Sequence, residues 1–290
     1  MSSTTRRHAD PTRSGPSPAR RLLAGAALGG LAVTALLSTA CSSDDEATGT
    51  TTTAHEQHDD APDKGNGGDG GGGGRQAPLL GDPISSDACG HFTTLSLAMG
   101  GGDPTVAGPS LEMFVGTLPT ELNEAGSTYV ETLSAAFEGD ADGMGSPEFA
   151  EASQQIGDAM FEGCEVDERL DVTGFDYGFL GLPAQVSSGL VALRFTNDTT
   201  KEEPHELIVL QRPPGDDTKL DDIAKMSPDE IMEDFPMIGV AFADTEGAAN
   251  TSFLELPAGH YIAICTIPIG GGETGDPHAS HGMIAEFEAV

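Results

Sequence analysis

Cys265, His278, His281 and Met283 lie close together near the C-terminal end of the chain, and His205 stands upstream in Pro204-His205-Glu206-Leu207. Thiolate, imidazole and thioether form the donor set that a soft, redox-active metal such as copper selects. Each residue also has an ordinary reading. A cysteine in an apolar strand is commonly a small buried hydrophobe, His205 beside Glu206 is a structural histidine next to an acid, and Met283 is core. Their joint occurrence makes metal binding the reading to test.

Positions 205 and 265–283 are distant in sequence, so tertiary structure must bring them together. Beyond Arg169 the hydrophobic rhythm has period two. Leu170, Val172 and Phe175 lead into Tyr177 and Phe179, and segments 189–197, 205–210, 252–256, 259–267 and 283–290 follow as strands. A helical insertion interrupts them at 219–235, with a capping box at Ser227-Pro228-Asp229-Glu230. Short strands separated by turn signals predict an antiparallel β-sandwich over 167–290.

Residues 86–166 instead predict a small helical domain. Ser146-Pro147 places an N-cap and an N1 proline ahead of Phe149, Ala152, Ile156 and Met160 on one face. Leu122, Tyr129, Val130, Leu133 and Phe137 make a second stripe, and Leu111, Phe114 and Val115 a third. Met113, Met144 and Met160 fit a core better than a copper-handling surface. Cys89 opens this segment and Cys164 closes it. In an oxidising compartment a bridge between these two would staple a small core by about 3–5 kcal/mol and, with Cys41 set aside, leave Cys265 as the odd thiol.

The N-terminal residues read as targeting sequence. Arg6, Arg7, Arg13, Arg20 and Arg21 precede an apolar run at 22–37 and then Ser38-Thr39-Ala40-Cys41. That order predicts a signal peptide over 1–41, with Cys41 as a lipidation site resembling a lipobox, although Leu37 lies one position further from the cysteine than usual. Simple cleavage or an uncleaved anchor are the other readings. Residues 42–85, acidic and then Gly-rich, predict a tether, in which His55 and His58 are incidental. The whole chain has a formal charge of −34; without residues 1–41 it has 8 basic and 46 acidic residues and a formal charge of −38. Such a surface repels nucleic acid and anionic lipid; its ordinary reading is solubility outside the cell, and it would also favour a basic partner. No Gly-x-Ser-x-Gly, HExxH or phosphate-cradling loop is present, and Cys265 with His278 lacks a third orienting group, so an enzyme is not expected.

Gly259-x-Tyr261-x-x-x-Cys265-x-x-Pro268, followed by His278-x-x-x-Gly282-Met283 and a closing strand, resembles the cupredoxin family of plastocyanin-like copper proteins. The resemblance covers roughly 170–290. It implies one copper ion held by the Cys265 thiolate and the imidazoles of His205 and His278, with Met283 as a long axial contact. It favours His278 over His281 as the ligand. The chain departs from the family pattern in one place: twelve residues separate Cys265 from His278, where the family uses a short loop. A loop of that length predicts a less preorganised, more solvent-open site. Residues 86–165 resemble, more weakly, the helical domain that precedes such domains in actinobacterial exported lipoproteins.

The combined expectation is an exported α+β protein, anchored to the outer face of the cytoplasmic membrane by lipid alone or else secreted. A helical domain precedes a cupredoxin-like sandwich that binds one copper for electron transfer or copper handling. Its redox or surface partner is not specified by the sequence. The alternative is a metal-free interaction module on the same fold.

Overall fold

The computed structural model describes residues 82–290 apart from Glu273. The signal-peptide reading of 1–41, the Cys41 lipidation site and nearly all of the tether lie outside the described residues. No helix among the described residues is long and apolar enough to cross a membrane.

Among the described residues four α-helices come first: α1 (Ser86–Met99), α2 (Ala107–Thr117), α3 (Asn123–Phe137) and α4 (Pro147–Gly163). Their ends follow local chemistry. The Ser85 hydroxyl accepts from Ala88 N at 3.1 Å and the Ser146 hydroxyl from Phe149 N at 3.2 Å, so each N-terminus has one otherwise orphaned donor satisfied. Phe92, Leu95, Leu111, Phe114, Tyr129, Leu133, Ile156 and Met160 point inward. Met113 does not: it is 52% exposed, so it is not the core residue its spacing suggested. A disulfide joins Cys89 to Cys164 across 75 residues of chain.

Nine strands follow among the described residues: β1 (Glu168–Phe175), β2 (Gly178–Leu180), β3 (Gln185–Val186), β4 (Gly189–Asn197), β5 (His205–Gln211), β6 (Met237–Ala243), β7 (Ala249–Leu256), β8 (Gly259–Ile264) and β9 (Ile284–Ala289). They form two sheets in the orders β2-β1-β4-β7 and β3-β9-β8-β5-β6. The sandwich is mixed rather than antiparallel throughout, because β1 pairs parallel with β4 and β3 parallel with β9. Between β1 and β4 the chain crosses to the second sheet to form β3 and then returns. β4 therefore re-enters beside β1 in the same direction. Period-two alternation identifies strands but carries no information about which strands become neighbours.

Each sheet is covered on both faces. Leu193, Phe195, Leu207, Val209, Tyr261, Ala263 and Phe287 fill the space between the sheets. Outside the second sheet, the insertion forms α5 (Leu220–Ile223) and α6 (Pro228–Asp234), and Ile223, Ile231 and Phe235 cover Ile208, Leu210, Ile262 and Ile264. Outside the first sheet, α1 and α4 pack on β7 and β4. Ala192 and Phe253 belong to the same buried cluster as the helical residues, with the Phe92 and Phe253 rings edge to face at 5.1 Å. Arg194 closes the seam: its guanidinium lies 4.2 Å from the centre of the Phe161 ring and pairs with Asp171 and Glu162. The helical region is thus a layer sharing a core with the sandwich.

Candidate metal centre

Strand parity places the candidate ligands at one end of the sandwich. β5 pairs antiparallel with β8, with Ile208 opposite Ile264, so the start of β5 and the residues just past β8 lie at the same end. Alternation turns His205 inward with Leu207 and Val209, while Glu206 faces outward with Ile208 and Leu210. Cys265 likewise follows Tyr261 and Ala263 into the inter-sheet core.

The long segment between Cys265 and His278 does not separate them. Its two arms are zipped: Pro268 and Pro277 form an antiparallel bridge, Ile269 N donates to Asp276 O, His278 N to Ile267 O and Ala279 N to Cys265 O. These contacts close the loop at its base, so its length adds little to the freedom of the candidate ligands. A short 3₁₀ turn, His278–His281, follows. Gly282 ends it with φ of 116°, a left-handed conformation that a side chain would strain, and thereby turns Met283 back into the core. Met283 N donates to His278 O, and Met283 O accepts from Cys265 N.

The structure brings together His205, Cys265 and His278, each offering one ligand atom within 4.8 Å of the others. Cys265 Sγ is 3.4 Å from His278 Nδ1, and His205 Nδ1 is 2.9 Å from Met283 Sδ. All four side chains are fully buried, so the solvent-open site expected from the loop length is not what forms. His281 sits at the rim with its side chain 43% exposed, 4.0 Å from Asp276. His278, not His281, is the histidine that meets Cys265.

Burial governs the electrostatics. It lowers the pKa of His205, and with the repulsion of His205 it brings His278 down to about 4. Burial, then the nearby Glu206 carboxyl, pushes the Cys265 thiol well above its usual range. Burial also raises Glu206, against hydrogen bonds from Thr266 N (3.0 Å) and Thr266 Oγ1 (2.7 Å). At neutral pH this leaves a thiol and two neutral imidazoles packed together, with His205 Nε2 and His278 Nε2 buried and without an aligned hydrogen-bond partner. The donors fit a borderline or soft ion: two imidazole nitrogens and a sulfur that ionises on metal binding, with a thioether beside them.

Several contributing residues gave no signal in the sequence. Gly174 on β1 makes room for Met283, since a Cβ there would lie 2.9 Å from Met283 Cε and 2.6 Å from Phe195 Cζ. Asn197 is fully buried and ties down the segment leading to His205: its amide donates to Glu203 O and Ala243 O, while its Oδ1 accepts from Thr199 N. Tyr177, at φ 76°, lays its ring 5.0 Å from that of His278 and 5.5 Å from that of His281, with Lys201 Nζ 3.8 Å above it. Glu203 Oε2 accepts from the Tyr177 hydroxyl at 3.3 Å and lies 3.3 Å from His278 Nε2. Asn197 closes the strand expected over 189–197, but nothing local points to a role for Tyr177 or Glu203 at the site.

No protein-family model matches the chain, and no curated protein matches it. Among solved structures, reduced auracyanin from Roseiflexus castenholzii is 16% identical, with 43% of this chain and 97% of that one covered at a TM-score of 0.32. Auracyanin A, a "blue" copper protein from Chloroflexus aurantiacus, is 19% identical over 42% of this chain and 98% of that one, TM-score 0.28. Rusticyanin from Thiobacillus ferrooxidans is 18% identical over 43% and 78%, TM-score 0.29.

Proposed function

We propose that this protein binds a single copper ion through His205, Cys265 and His278, with Met283 as a weak fourth contact, and serves electron transfer or copper handling. The observation that carries the reading is the convergence of a buried thiol and two buried imidazoles within 4.8 Å at one end of a rigid sandwich. Bound copper supplies a one-electron Cu(I)/Cu(II) couple. The chain's own part is to hold the donors still. The β5–β6 ladder fixes His205 opposite Ala243, backbone hydrogen bonds with Met283 and Ala279 fix Cys265, and the zipped base of the 266–277 loop fixes His278. Complete burial of the donors suits passage of an electron through packed side chains better than entry of a substrate, so the protein is proposed as a carrier and not an enzyme.

The N-terminal signal extends the proposal to export, with lipid attachment at Cys41 holding the protein to the outer face of the membrane. The formal charge of −34 favours a basic redox or surface partner and disfavours nucleic acid. The test is uptake of Cu(II) by the purified protein. One equivalent should bind and give an intense visible thiolate-to-copper band, absent in Cys265→Ser. Failure to take up stoichiometric copper sinks the reading and leaves a metal-free interaction module.

A further inference from the structure

Both histidines of the centre present Nδ1 to a sulfur, and the outer nitrogen of His278 then needs an account of its own. His278 Nε2 is buried and makes no aligned hydrogen bond, yet it lies 3.3 Å from Glu203 Oε2. A carboxylate can only accept. A lone pair on Nε2 would face the lone pairs of that oxygen, whereas a proton on Nε2 turns the contact into attraction and leaves the Nδ1 lone pair facing Cys265. The carboxylate is itself held in place. Glu203 Oε1 accepts from Gly270 N at 3.0 Å, Oε2 accepts from the Tyr177 hydroxyl, and Asn197 anchors the Glu203 carbonyl. Its side chain is 13% exposed, so the charge works in a poorly solvated place. Glu203 therefore joins three separate segments to the back of one imidazole.

We propose that Glu203 is a positioning residue for the metal centre: it holds His278 as the Nε2–H tautomer, with Nδ1 free to bind the ion. Its functional consequence rests on the copper reading, but the tautomer does not. A ligating imidazole whose other nitrogen donates to a carboxylate is more basic and better oriented, and loss of such a partner typically costs about 10–100-fold in metal affinity. A more basic donor also favours Cu(II) over Cu(I), so Glu203 lowers the reduction potential.

Long-range proton–nitrogen correlation spectra of the metal-free wild-type protein, with His278 assigned by comparison with His278→Gln, read the tautomer directly. The expected result is a proton on Nε2; a proton on Nδ1 overturns the proposal without any variant being needed. In Glu203→Leu the tautomer should become mixed, Cu(II) affinity should fall about 10–100-fold and the potential should rise. Glu203→Gln keeps an acceptor oxygen and should recover the tautomer and most of the affinity, which a merely space-filling role would not require. An unchanged tautomer and affinity in Glu203→Leu, with folding verified by circular dichroism, also overturns it. A wild-type protein with Nε2 protonated that takes up no copper would retire the copper reading and leave the positioning role standing.

Discussion

Around Phe253 the helical layer meets β7 mainly through aromatic and aliphatic side chains, with Phe92, Leu95, Ile156 and Met160 sharing one buried cluster. At the end of the sandwich that holds Cys265, polar side chains are buried beside it: Asn197, Thr199, His205, Glu206, Thr266 and His278. Apolar contacts are non-directional and sum with area, so the first region is stabilised by many interchangeable contributions. Buried polar groups each need a particular partner, and two ring nitrogens in the second region make no aligned hydrogen bond. The Cys265 end spends stability on bringing these donors together, and the helical layer and the insertion supply the covered sheets that make this tolerable.

That contrast can be broken at three points. The largest effect is expected from Phe253→Ala, which removes a fully buried ring far from the ligands. It should cost about 3–5 kcal/mol in denaturant unfolding while leaving copper stoichiometry at one. A loss of copper binding without loss of stability would show that the two regions are not separable in this way. Next is acidification of the metal-free protein. The folded pKa of His278, about 4, lies below its ordinary 6.5, so the unfolded chain binds more protons between those values and stability falls as pH drops through that window. The share due to His278 is at most about 3 kcal/mol. Glu206, raised by burial, works in the opposite sense above its ordinary value of 4.5, so the difference between wild type and His278→Gln isolates the histidine. A parallel pair of stability curves would remove the electrostatic cost from the account. The smallest effect is expected from Gly174→Ala. Its Cβ must displace the Met283 methyl or the Phe195 ring, for about 1–3 kcal/mol in thermal unfolding. A shift of the visible band in the copper-loaded variant would tie that displacement to Met283.

Local signals carried well from sequence to structure because their causes are local. The Ser146 cap, the N1 proline and the Ser227–Glu230 capping box each depend on residues no more than three apart, and all are present. β6 was not anticipated, since Met237-Ile238-Gly239-Val240-Ala241-Phe242-Ala243 is a short apolar run with no clean alternation next to a helix. The parallel pairs were missed for a different reason: partner choice is set by where the chain crosses between sheets. The looseness expected of the 266–277 loop was wrong because loop entropy counts residues, whereas a bridge at Pro268 and Pro277 removes most of them from the closure.

The amino-acid sequence by itself determined the chemistry on offer: Cys265, Met283 and the three histidines His205, His278 and His281, on segments whose alternation fixes which face each strand residue takes. Only the tertiary structure decided that these groups meet, that they are buried beneath covered sheets, and that Tyr177 and Glu203 back the second histidine. Side-chain type and strand parity are properties of a few consecutive residues, whereas convergence and desolvation depend on contacts between segments far apart in the chain.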